Sequence, residues 1–164
     1  ALDIYHDKKV AELFSRHNVL NSKELHARHE IMLENYIKKV QIESRVMGDL
    51  ALNHVIPTSI LYQNKLIENA NGLAGLGLDN TAAIETIKEI SKHLESINKN
   101  VHDMTEARKQ LNKEEDIVKR AKGYCNDVKE AYFDKIRYAV DKLELVVDDE
   151  LWPLVKYREM LFIK

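Results

Sequence analysis

Apolar residues along this chain recur at threes, fours and sevens, and the strict alternation that marks a half-buried strand is almost absent. Residues 3–16 predict a short leading helix with Ile4, Val10, Leu13 and Phe14 inward. A break at 18–21 precedes Asn21, which lies three before Glu24, the spacing of a capping box. Leu20 and Leu25 flank that cap as a hydrophobic staple. The second helix is predicted over 22–70, on a stripe of Leu25, Met32, Leu33, Tyr36, Val40, Met47 and Ala51. Unbroken, it would be roughly 70 Å long at ~1.5 Å per residue. Pro57 removes a backbone donor and disfavours helical geometry at Ile56, so a kink or break is expected at 54–57. Ile31, Ile37, Ile42, Val46 and Ile60 widen the apolar surface, as in a helix with neighbours on more than one side.

The run Asn71-Gly72-Leu73-Ala74-Gly75-Leu76-Gly77-Leu78 reads as a connection. It matches neither a dinucleotide-binding nor a phosphate-binding loop, and no strand precedes it. Asp79, Asn80 and Thr81 offer caps for a helix over 81–111, whose stripe from Ile84 through Ile90, Ile97 and Met104 to Leu111 approaches a heptad seam. Asn112, three before Glu115, repeats the capping spacing, and the last long helix is predicted over 113–147 through Tyr124, Val128, Tyr132, Ile136 and Leu143. The short turn makes it an antiparallel neighbour of the preceding helix. The expected fold is therefore all-α: one domain over 1–164, an antiparallel bundle of three long helices with a short N-terminal helix and an aromatic docking tail over 151–164.

Composition removes several alternatives. Five glycines and two prolines in 164 residues are too few for the turns of an all-β fold. A formal net charge of −2 supplies no electrostatic case for nucleic acid or an anionic membrane surface. No stretch has the ~18 uncharged apolar residues of a membrane span. The single cysteine, Cys125, excludes an internal disulfide and fits a reducing, cytoplasmic setting. A chain that begins at Ala1 without methionine suggests a piece of a longer protein.

Candidate chemistry is sparse. His26, His29 and Glu30 share a helix at spacings that could place them around one metal, although a charged solvent face explains them more simply. No Glu-x-x-His motif of the di-iron bundles occurs. His54, beside Val55, Ile56 and Pro57, reads as a partly buried structural histidine before a catalytic base. Cys125 reads as a quiet buried thiol. Asp148, Asp149 and Glu150 would oppose the dipole at a helix C-terminus, and suit better the opening of a new short helix or a basic partner. The tail that follows, with Trp152, Pro153, Tyr157 and Phe162, must dock on its own bundle or on a partner. Trp152, Pro153, Tyr157, Phe162, Asp148 and Asp149 are thus the candidate interaction residues, with no catalytic, cofactor or metal residue assigned.

The segment Tyr138-Ala139-Val140-Asp141-Lys142-Leu143-Glu144-Leu145-Val146-Val147-Asp148-Asp149-Glu150-Leu151-Trp152-Pro153-Leu154, followed by residues 156–162, resembles the end of type III glutamine synthetases. Glu24-Leu25-His26-Ala27-Arg28, residues 36–40, Gln41-Ile42-Glu43-Ser44-Arg45, Asn53-His54-Val55-Ile56-Pro57, residues 71–78 and Tyr124-Cys125 are similar to the same family's helical C-terminal region. The resemblance runs along nearly the whole chain. It implies a non-catalytic C-terminal domain of a cytoplasmic, ATP-dependent glutamate–ammonia ligase of nitrogen assimilation. In such an enzyme ATP and Mg2+ (or Mn2+) would act in an upstream catalytic domain, and the assembly would be a double-ring homo-oligomer. The domain's expected part is assembly or stabilisation. A stand-alone helical adaptor, or a small sensor built on His26, His29 and Glu30, is the competing expectation.

Overall fold

The computed structural model describes Ile4, Tyr5 and residues 7–161, and the described residues are helical almost throughout. Three rods make the bundle. The first is α2 (Ser22–Leu50), a π-helical segment at Ala51–Val55, and α3 (Ile56–Gly75). The second is α4 (Thr81–Leu111). The third is α5 (Ile117–Gly123), a longer π-helical segment at Tyr124–Phe133, and α6 (Asp134–Val146). A leading helix α1 (Lys8–Arg16) and a terminal turn α7 (Tyr157–Met160) complete the chain.

Local chemistry sets most boundaries. Asn21 and Glu24 form the full capping box, Glu24 N donating to Asn21 Oδ1 at 2.9 Å and Asn21 N to Glu24 Oε2 at 2.8 Å. The end of α3 falls five residues beyond the predicted 70, with Gly72 and Gly75 inside the helix. Gly77 supplies the left-handed residue of a Schellman closure at φ 70. Its N–H reaches Ala74 O at 3.0 Å, and Leu78 N reaches Leu73 O at 2.9 Å. Asn80 Nδ2 then clamps the turn by donating to Ala70 O at 3.1 Å.

Three expectations are corrected. The first rod does not break at Pro57. Ile56 stays helical (φ −61, ψ −52), and its N–H reaches back five residues to Ala51 O. The widened turn just upstream takes up the distortion that the proline ring would impose on the preceding carbonyls. The third rod starts at Ile117 rather than 113. Asp116 is its cap, accepting from Val118 N at 2.9 Å and Lys119 N at 3.1 Å, while Asn112 is drawn into a side-chain network described below. The leading helix starts at Lys8 rather than 3, capped by Asp7, and it buries none of its residues; Ile4 and Leu13 are exposed.

α4 runs between the other two rods, packing on α3, α6 and the second π segment. The core follows: Ile90, Ile97, Val101 and Met104 of α4 meet Ala121, Tyr124, Val128, Ile136, Ala139 and Leu143 of the third rod, with Val40, Ala51 and Val55 of the first. Ser44, Gly48 and Ser59 are buried along the first rod, and small residues there let α4 approach closely. A Cβ on Gly48 would lie 3.2 Å from Val101 Cγ1, tighter than ordinary van der Waals contact.

Candidate functional site

The histidines do not converge. His26 is exposed on α2, its Nδ1 3.7 Å from Glu30 Oε2, whereas His29 is buried and stacks against Tyr5 at 6.3 Å between ring centroids. Among the described residues no three of His, Cys, Asp and Glu come together in a way that could hold a metal. Nothing here fits the divalent ion that the family resemblance implies, so no metal-dependent step is assigned to these residues. His54 is exposed rather than partly buried, while its neighbours Val55 and Ile56 are the buried residues.

Where α2 faces the third rod, polar groups serve packing. Tyr124 is fully buried, and its hydroxyl donates to Asn112 Oδ1 at 2.6 Å while accepting from Gln41 Nε2 at 2.8 Å. Gln41 Nε2 also donates to Asn112 Oδ1 at 2.7 Å, closing a triangle that ties α2 to the α4–α5 turn. One helical turn on, Arg108 Nη1 donates to Ser44 Oγ at 3.3 Å, and burial lowers the Arg108 pKa from its ordinary value. Cys125 is half-buried rather than buried, with Sγ 3.7 Å from Glu130 Oε1. Burial, then the neighbouring Cys125, Glu130 and Glu43, raise the Tyr36 pKa above its usual value.

The tail turns back onto its own bundle. Asp148 opens the turn, its side chain accepting from Glu150 N at 3.0 Å and its carbonyl from Trp152 N at 3.0 Å. Asp149 pairs with the nearly buried Lys156, whose Nζ also donates to Glu144 O at 2.9 Å and lies 5.9 Å from the Trp152 ring centre. Of the two options open to the acidic run, Asp149 takes the basic partner, while Asp148 begins a turn rather than a new short helix. Trp152 is 8% exposed and belongs to the core, with Leu151 and Leu154 packed beside it, while Pro153 is exposed. The Tyr157 side chain and Phe162 lie outside the described residues.

Beside the tail lies a feature that the sequence marked only as a widened apolar surface. An open groove of about 580 Å³ runs between α2 and α6. Ile42, Val46 and Leu50 line it from the first rod, Phe133 and Val140 from the third, and Leu154 from the tail. Ile42 is 62% and Val46 50% exposed, although both sit on a helix that is otherwise well packed. The charged groups at its edges are engaged along their own helices, Glu43 with Lys39 at 4.0 Å and Arg137 with Asp141 at 3.6 Å.

The class defined by these features is an all-α bundle of three rods, with Trp152 and Lys156 folded back on it and one side of α6 open. The family model for the glutamine synthetase C-terminal domain matches residues 1–74. A glutamine synthetase of Bacteroides fragilis is 42% identical over the whole chain, which covers 23% of that protein. A type-3 glutamine synthetase of Dictyostelium discoideum is 28% identical, again over the whole chain and 23% of its own length. A glutamine synthetase of Butyrivibrio fibrisolvens is 26% identical over 92% of the chain and 22% of its own length. The chain belongs to the type-3 glutamine synthetase family as its helical C-terminal domain, and it spans about a quarter of the length of the relatives it matches.

Proposed function

We propose that this domain is the non-catalytic C-terminal part of a glutamate–ammonia ligase that makes glutamine at the expense of ATP, and that it serves assembly and stabilisation of a ring-shaped, cytoplasmic homo-oligomer. The observation that carries this reading is the 42% overall identity, in an alignment that covers the whole chain, to a protein named glutamine synthetase. Side-chain placement supports it. The polar groups described above tie helices together, and the candidate interaction residues Asp148, Asp149 and Trp152 hold the tail on the bundle. The reaction activates a carboxylate by phosphoryl transfer, which needs divalent metal and cationic groups around the phosphates. ATP and the Mg2+ or Mn2+ ion are accordingly assigned to the upstream catalytic domain of the same polypeptide. No helix among the described residues is long and apolar enough to cross a membrane.

The test is made on the full-length enzyme, comparing the intact protein with one truncated before Ala1 and one lacking residues 151–164. The intact enzyme forms glutamine from glutamate, ammonia and ATP. The truncated protein is expected to fall to smaller particles by light scattering, and the tail deletion to melt at lower temperature. Unchanged particle size and unchanged melting in both would defeat the assembly role.

A further inference from the structure

The α2–α6 groove has the form of a docking site. We infer that it receives apolar side chains from the upstream catalytic part of the same enzyme. This rests on the reading of the chain as a C-terminal domain and goes further by naming the surface and its occupant.

Exposed apolar residues scattered singly are ordinary, but Ile42 and Val46 are not scattered. They stand one helical turn apart in a concavity whose lining from the third rod, Phe133 and Val140, is apolar as well. At about 580 Å³ the groove has the volume of a formed binding cleft, for which roughly 300–1,000 Å³ is usual. It presents no convergent polar groups, since Glu43 and Arg137 are occupied on their own helices. A metabolite with charged or hydrogen-bonding groups would find no partner inside it; apolar side chains of a polypeptide would.

The occupant follows from what lies outside the chain. Relatives that match over its whole length continue for about three times that length again, and the matching family is a C-terminal domain, so the missing mass lies upstream. The link to that mass runs through α1, which buries none of its residues and so cannot by itself fix how the bundle sits on the rest of the enzyme. A covalently joined domain whose leader is loosely seated takes its orientation from a second contact. The groove supplies one at the C-terminal end of α2, well removed from the α1 end.

The experiment uses the full-length enzyme with cysteine at position 46 or 145, each on a Cys125→Ala background. Both residues are surface-accessible in this domain, Val46 at 50% and Leu145 at 79%, so neither change opens the core. A covered groove makes Val46→Cys react with a maleimide at least about tenfold more slowly than Leu145→Cys. A photo-activatable phenylalanine analogue at position 46 should then cross-link to peptides that precede Ala1. Comparable labelling rates at 46 and 145 would overturn the proposal. So would cross-links confined to residues 1–161 of a second copy, or to residues 162–164 at the end of the chain. If labelling at 46 is fast while truncation before Ala1 still dismantles the oligomer, the assembly role stands and the groove assignment falls.

Discussion

The two sides of α6 are built from the same kinds of residue and end in opposite states. Toward α4, Ala139 and Leu143 are sealed. Toward α2, Val140 and Phe133 are only partly covered, and Ile42 and Val46 opposite them stay in water. Apolar periodicity brings helices together, but whether a seam closes depends on interhelical distance. On the α4 side interlocking side chains fill the space. On the α2 side the rods pack closely around Tyr124, whereas farther along Ile42 and Val46 face Val140 across open space. The closed side stabilises the domain, whereas the open side costs little in isolation and is available for something else.

The sharpest way to test that contrast is to cut into the closed side. Leu143→Ala, at a fully buried position, is expected to remove about 2–5 kcal/mol from the unfolding free energy of the domain in urea. Overpacking the nearby seam should cost less: Gly48→Val drives carbon into Val101 and is expected to lose about 1–3 kcal/mol in the same assay.

A pH-dependent difference should be smaller. Burial holds the His93 imidazole below its ordinary pKa of 6.5, with Glu89 opposing and Lys92 and Lys142 reinforcing the shift. Its ring meets Tyr138 of α6 edge-on at 6.3 Å. The unfolded chain thus binds the proton first, so stability that is whole above pH 6.5 declines as pH falls toward the folded-state pKa. His93→Gln is expected to flatten the melting temperature across that window; an undiminished slope would assign it to other groups. The smallest effect belongs to the open side, where Val46→Ala should change domain stability by less than about 0.5 kcal/mol.

Much of this fold could be read in the chain. Asn21 and Glu24 announced their capping box, the seam from Ile90 to Met104 marked α4, and the glycine run marked the turn. The leading helix was overread, since Ile4 and Leu13 have helical spacing but stay exposed. Pro57 pointed to a disturbance, yet the chain absorbs it through Ala51–Val55, because widening a turn upstream avoids the clash without ending the helix. The larger π segment had a signal that propensity does not register. Tyr124, Val128, Tyr132 and Ile136 are spaced by four three times over, and in an α-helix each such step drifts by roughly 40°. Within the tail, local chemistry could pair acidic residues with some cation, but the fold alone shows that the cation is Lys156. The groove was least legible, because exposure at Ile42 depends on how far a helix about a hundred residues away stands off.

The segment at Tyr124–Phe133 also gives the third rod slack. A π turn is an α turn holding an extra residue, so removing one residue there tightens the coil and leaves the faces of α5 and α6 close to where they were. The same deletion inside α4 would rotate everything beyond it by about 100° and face Ile97 away from its partners. One rod can thus change length in evolution or in the laboratory, while the rod it leans on is held to the residue.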